Sequence, residues 1–327
     1  MELRQLRYFV TVVEEGGFTR AAARLHLAQP GLSAQIRQLE KELGQPLLDR
    51  SHRSVTPTEV GRSVLPYARA ALAAVEAVRQ TVDEHTGLLR GRVTLGLVSG
   101  ATSRAFDIAS FLADFHSAHP ALEVALTEDT SERMQTALLS GEIDIALLGP
   151  TWETPPPGIS YRTVIDTPLA AAVAPDDPLL ASPNHPGDPL PAPPNHPGDP
   201  LPAPPNRTAV PLAGLRDRPL ICLPRGTGVR AVLERACAQA GFRPRVAFEA
   251  ASPHVLAQLA ARGLGVAVLP LGEEEPDLGG PLRTLEITGP RMRARIVLAW
   301  PAADPPSPAA RVLLDRLREA LPKAATP

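Results

Sequence analysis

Over residues 18–42 the chain reads FTRAAARLHLAQPGLSAQIRQLEKE, two short helical patterns separated by a tight break. The first covers residues 19–25, with Thr19 placed to cap it and Phe18 as the apolar residue before the cap. The second opens at Pro30, a position whose N–H has no intrahelical partner to lose. Leu32, Ile36, Leu39 and Leu43 recur at steps of four, three and four and make one buried stripe. Gln29, Ser33 and Arg37, spaced by four, share another face that is short-chained, polar and ended by a cation. A helix entering a DNA major groove presents such a face. Upstream, Leu6, Phe9, Val10 and Val13 form the stripe of a helix over residues 2–15, which Gly16-Gly17 ends. Ala21, Ala22 and Ala23 are small enough for close helix approach, and Gly44 suits a C-cap.

The pattern then changes. Leu47, Leu48 and Val55 are core positions flanking a basic tip, Arg50-Ser51-His52-Arg53, and together they predict a small hairpin or wing beside the reading helix. Arg50 and Arg53 would meet phosphates or a minor groove. From Glu59 to about residue 84, Val60, Val64, Ala68, Leu72, Val75, Val78 and Val82 recur at steps of three or four. A helix of that length, about 40 Å, cannot bury its stripe on a 60-residue domain, so a second copy of itself is the expected partner. After a hinge over residues 87–91, strand patterns (92–98, 122–128, 143–149, 169–175) alternate with helical ones. A parallel sheet with crossover helices follows. Further strands are expected at 219–224, 245–250 and 265–270, with helices between them and a closing helix over 308–321. Within this run PNHPGDPLPAP occurs at 183–193 and again at 194–204. A segment so poor in apolar residues cannot offset its ordering entropy, and residues 181–207 are expected to be a disordered, functionally silent surface loop.

Composition narrows the function. The formal charge is −2, which argues against a protein that coats nucleic acid throughout but allows a basic module on a neutral body. No apolar run reaches membrane length and the first residues, MELRQLRYFV, lack a signal-peptide core, so a cytoplasmic place is expected. Cys222 and Cys237 form neither a metal set nor a disulfide framework. They read as small buried hydrophobes rather than redox sensors. No nucleophile motif, no metal-spaced His/Cys set and no GxGxxG after a strand is present; an enzyme, a metal and a cofactor are not expected.

Taken in order, these parts resemble a LysR-type transcriptional regulator over nearly the whole chain. The resemblance rests on LRYFVTVVEEGGFTRAAARLHLAQPGLSAQIRQLEKELGQPLLDR at the start, on HPALEVALTE followed by LLSGEIDIALLG, and on AGFRPRVAFEA with ARGLGVAVLP. It implies an α/β protein with an N-terminal winged helix-turn-helix (1–58), a dimerising linker helix (59–88), and an effector domain (91–321) like a periplasmic binding protein. That domain would have two Rossmann-like halves, 91–165 plus 270–321 and 166–269, joined by crossings near Ile165 and Pro270. The implied partners are double-stranded promoter DNA, a small effector, further copies in a homodimer or homotetramer, and RNA polymerase. By position, Gln29, Pro30, Ser33 and Arg37 match groove-facing sites and Arg50 and Arg53 the wing. Ala34 stands where many members carry a longer, often basic residue, which shifts weight to Gln35 or Arg37. The implied cleft residues are Ser99, Gly100 and Thr102, then Asp129 and Thr130, then Gly226 and Thr227. They follow strand ends, where open sheets bind ligands, and hydroxyls beside helix starts suit an anion.

Overall fold

The computed structural model describes residues 1–50, 54–85, 90–98, 107–181, 209–270, 281–302 and 307–322. Helices α1 (Leu3–Glu15), α2 (Phe18–Arg24) and α3 (Gln29–Leu43) pack around Phe9, Leu32, Ile36 and Leu39. Gly16 turns left-handed (φ 59°) to close α1, and Gly17, extended, caps α2 directly. Thr19 therefore lies inside α2 rather than capping it. Gln29 opens α3, with Pro30 one residue further in. Leu43 is 40% exposed. It overhangs a core that ends at Leu39, so the expected stripe is one residue too long.

A two-strand wing follows, β1 (Leu48–Asp49) antiparallel to β2 (Thr56–Pro57). The next helix, α4 (Glu59–His85), runs for 27 residues. The Thr58 hydroxyl accepts the Gly61 N–H at 2.9 Å and donates to the Pro46 carbonyl at 2.8 Å, stapling the start of α4 to the wing. Gly61 lies so close to the Leu47 carbonyl that a Cβ there would overlap its oxygen.

The larger unit alternates strands and helices: β3 (Gly91–Leu97), α5 (Ile108–Ala118), β4 (Leu122–Glu128), α6 (Ser131–Leu139), β5 (Ile145–Leu148), β6 (Ile159–Val173) and α7 (Pro178–Ala181). It continues with β7 (Ala209–Pro211), β8 (Leu220–Cys222), α8 (Gly228–Gln239), β9 (Val246–Glu249), α9 (Pro253–Ala261), β10 (Val266–Pro270), β11 (Arg283–Thr288), β12 (Arg293–Pro301) and α10 (Pro308–Ala320). The main sheet has the order β4-β3-β5-β12-β6-β10-β8-β9. In the first half β3 sits between β4 and β5 and pairs parallel with both, and in the second half β8 sits likewise between β9 and β10. Helix α5 begins at Ile108, where the Asp107 carboxylate caps it by accepting from Ala109 and Ser110 N–H groups.

Two long strands tie the halves. β6 pairs antiparallel with β12 over residues 159–168, then with β10 and β11 over 169–173. β6 passes from one set of partners to the other between Pro168 and Leu169. The return crossing does not fall near Pro270: β11 still pairs with β6 and β7 in the second half, and the chain re-enters the first half only at β12. The second half accordingly extends past residue 270 to about the 289–293 segment. One apolar cluster, centred on Leu95, Ile145, Leu148 and Leu313, fills the first half. The second half carries two, one against α8 and one against α9. The tandem repeat lies outside the described residues.

Replacing Gly61 with Ala should force α4 off the wing and cost about 1–3 kcal/mol, as overpacking against backbone does. Chemical denaturation of the Gly61→Ala protein checks this; an unchanged midpoint for the N-terminal transition would contradict the close approach.

Candidate DNA-binding face and effector cleft

On α3, Gln29, Pro30 and Arg37 are exposed and Ser33 is half-buried. Arg37 Nη1 donates to Ser33 Oγ at 3.0 Å, so the two polar ends of the face are already joined. Gln35 does not belong with them. At 3.6 residues per turn it lies about 160° around the helix from Arg37, beside the buried stripe. Arg50 is also drawn inward. Its Nη2 sits 2.7 Å from Glu40 Oε2, and its guanidinium lies 5.3 Å from the Phe18 ring centroid. Arg50 thus fastens the wing to α3 in this structure, while Arg53 lies outside the described residues. Glu40 is the organiser that sequence reasoning missed. Its Oε1 accepts the N–H groups of Leu47 and Leu48 at 3.0 and 3.2 Å, and its side chain is 13% exposed. The available signal was its place beside Ile36 and Leu39, where a carboxylate needs partners.

The expected α4 stripe divides. Val64 and Leu72 pack, with Ala68, on the DNA-reading domain's own core. Val60, Tyr67, Val78 and Val82 remain exposed, three of them by more than 60%. These four lie within about 60° of one another, roughly a quarter turn from Ala68 and Leu72. Val75 is half-buried between the two strips. Val64 stands at the same angle as Val82, so place along the helix as well as angle decides burial: positions 64–72 lie against the N-terminal core, whereas Val78 and Val82 lie beyond it.

Arg69, on α4, is nine-tenths buried and faces both domains. Nη2 lies 3.7 Å from Glu14 on α1, and Nη1 lies 3.3 Å from Ser140 Oγ and 3.4 Å from Glu142, just past the end of α6. Glu14 in turn pairs with Arg24 on α2 at 3.0 Å.

The opposite end of α6 meets the second half. Glu132 N–H donates to the Gly226 carbonyl at 3.1 Å, and a Cβ on Gly226 would touch Thr130 Oγ1 at 3.3 Å. Asp129, Thr130, Gly226 and Thr227 are thereby brought together across the halves. Ser99, Gly100 and Thr102 lie outside the described residues. Asp129 Oδ1 accepts the Thr130 N–H at 2.7 Å, and its other oxygen pairs with Arg133 at 3.0 Å. Thr227 precedes α8 and donates its hydroxyl to the Pro224 carbonyl at 2.8 Å. Two further contacts were not read from the sequence. Gly149 N–H donates to the buried Ser131 Oγ at 3.2 Å, and Gly228 packs so tightly on Gly149 that a Cβ would fall 2.7 Å from its carbonyl. Behind the turn, buried Arg230 reaches Glu249 at 2.6 Å, Glu234 at 2.9 Å and the Leu223 carbonyl at 3.3 Å. Burial opposes its charge, but the hydrogen bonds to the two carboxylates more than offset it and hold the pKa above the ordinary value. Both thiols are buried, and burial pushes Cys222 up to about 12 and Cys237 to about 11, so neither is a thiolate at neutral pH.

A family model described as "Bacterial regulatory helix-turn-helix protein, lysR family" matches residues 3–62, and one described as "LysR substrate binding domain" matches residues 86–322. The chain belongs to the LysR family of transcriptional regulators. Among its relatives, the HTH-type transcriptional regulator AlsR of Bacillus subtilis is 31% identical over 276 residues, covering 83% of this chain and 80% of that one. Full-length OxyR C199D from Pseudomonas aeruginosa shares the fold at 24% identity and TM-score 0.66, over 98% of this chain and 95% of that one. CbnR, solved in complex with its target DNA, shares it at 23% identity and TM-score 0.54, over 98% and 100%. As a LysR-family regulator the chain is a DNA-binding protein, with a helix-turn-helix domain over residues 3–62 and a substrate-binding domain over residues 86–322; the relatives are regulators, not enzymes. No helix among the described residues is long and apolar enough to cross a membrane.

Gly228→Ala should prise α8 from Gly149 and destabilise the effector domain by about 1–3 kcal/mol. Differential scanning calorimetry reads this; a melting temperature equal to wild type would contradict the contact.

Proposed function

We propose that this LysR-family regulator acts as a pair or a pair of pairs on promoter DNA in the cytoplasm, and that it answers to a small anion held between the two halves. The exposed strip of Val60, Tyr67, Val78 and Val82 is the pairing face, because isolated apolar strips of that length seek a partner. Pairing sets two α3 helices at two half-sites, with Gln29, Pro30, Ser33 and Arg37 toward the bases and Arg50 and Arg53 near the backbone. The solved CbnR–DNA complex supports a DNA role for this architecture. The effector would lie among Asp129, Thr130, Gly226 and Thr227, with Ser99, Gly100 and Thr102 on the third side. Two helix starts, those of α6 and α8, meet there and favour negative charge. RNA polymerase at the same promoter is the partner that would read the outcome.

One observation carries the regulatory part: α6 spans from the cleft to Arg69. Its first turn touches Gly226, and the residues just past its last turn touch Arg69, which touches Glu14 in the DNA-reading domain. A shift of the second half against the first would move α6 as a rod and load or release the Arg69 contacts.

The test is a gel-shift titration on the DNA upstream of its own gene, with a panel of mono- and dicarboxylates. In wild type at least one should change affinity or mobility, by about 5–150-fold if coupling is of ordinary size. Arg69→Ala should keep basal DNA binding and lose most of that response. A full response in Arg69→Ala would contradict the α6 route, and no response of wild type to any carboxylate would contradict the anionic effector.

A further inference from the structure

A separate recess opens on the far flank of the Gly149–Gly228 contact. It has a volume of about 270 Å³ and lies between the loop after β5, one face of α8 and the entry to β12. Bulk water occupies about 30 Å³ per molecule, so a compact ligand fits. None of Asp129, Thr130, Gly226 and Thr227 lines it. Four guanidiniums do: Arg235, Arg291, Arg293 and Arg295.

Their partners leave donors over. Asp166, whose side chain is 7% exposed, takes Arg293 Nε at 2.6 Å and Arg295 Nε at 3.2 Å, and its carbonyl accepts from Arg293 Nη2 at 2.8 Å. Arg235 pairs with Glu153 at 2.8 Å, but Glu153 is 71% exposed and held by that contact in solvent. Arg291 has no ion pair with any described residue. Each guanidinium offers five N–H donors in a fixed fork, and most of those on Arg291 and Arg295 remain uncommitted. Four cations against the two carboxylates Asp166 and Glu153 leave an excess of two positive charges. Trp152, Val232 and Met292 supply apolar walls that lower the local dielectric and strengthen any anion contact.

We propose that this recess is a second binding site, for a compact dianion of the dicarboxylate or phosphate type. The bound anion would bridge Arg291, Arg295 and Arg235, displacing the exposed Glu153. It would tie α8 of the second half to the 150–153 loop of the first. Occupancy would therefore stiffen the two halves independently of the cleft, and the proposal stands whether or not the cleft effector is an anion.

Isothermal titration of the full-length protein with inorganic phosphate and with malonate, at constant ionic strength, tests it. Saturable binding of one dianion per chain is expected, weakened about tenfold or more in Arg291→Ala/Arg235→Ala and less in Arg291→Lys, with acetate much weaker throughout. The phosphate and malonate arms decide which chemistry the site prefers. In wild-type protein, phenylglyoxal labelling of Arg291, read by mass spectrometry, should fall when the preferred dianion is added; this needs no variant to fold. No saturation by either dianion up to about 10 mM, equal binding of acetate, or unchanged labelling of Arg291 would overturn the proposal. So would loss of binding in Thr130→Val with retention in the arginine variant, which would put the anion in the cleft instead.

Discussion

A single helix that must satisfy two partners governs this molecule. α4 is about 40 Å long, and among the described residues its Val64, Ala68 and Leu72 pack on the N-terminal core while Arg69 is buried against Glu14 and Glu142. The strip of Val60, Tyr67, Val78 and Val82 is exposed among the described residues. Because the same helix begins against the wing, at Gly61, and carries Arg69 at its middle, any partner that docks on the strip fixes two DNA-reading domains and two effector domains at once. In the proposed reading, one rod sets the geometry of pairing, reading and response.

The effector domain obeys a similar economy. Strand β6 runs through both halves, and beyond it the halves meet where Gly149 packs on Gly228, where the Glu132 N–H donates to the Gly226 carbonyl and where Arg235 pairs with Glu153. At Gly149 and Gly228 the lack of side chains allows the two backbones to approach closely. The turn itself is held from behind by Arg230, whose three partners fix the ends of β8 and β9.

Much of this was legible in the sequence, because hydrophobic period reports directly on which face is buried. The three N-terminal helices, the wing, the long helix and the alternation of strands all follow from it. What period cannot report is which of two partners covers a given face. The seven apolar positions of α4 looked like one stripe, yet Leu72 and Val82 serve different neighbours. Polar ties between distant segments were equally silent: Glu40 to the wing, Arg69 to Glu14 and Glu142, Asp166 to two arginines of β12. Arg50 was read as a phosphate ligand, and its pairing with Glu40 on α3 is a further tie that the period does not report. The return crossing was misplaced because β11 and β12 have similar alternation, and only their pairing partners tell the halves apart. Thr130 and Gly226 lie close together, whereas Ser131 and Gly149 drew no notice because a serine opening a helix and a glycine after a strand are common.

The central claim is that α4 makes this protein a paired reader of DNA. Hydroxyl-radical footprinting of the full chain on the DNA upstream of its own gene tests it most directly. Two protected patches on one face of the duplex, with centres about 10 base pairs or a multiple apart, are predicted. A single patch of half-site size at saturation would contradict it.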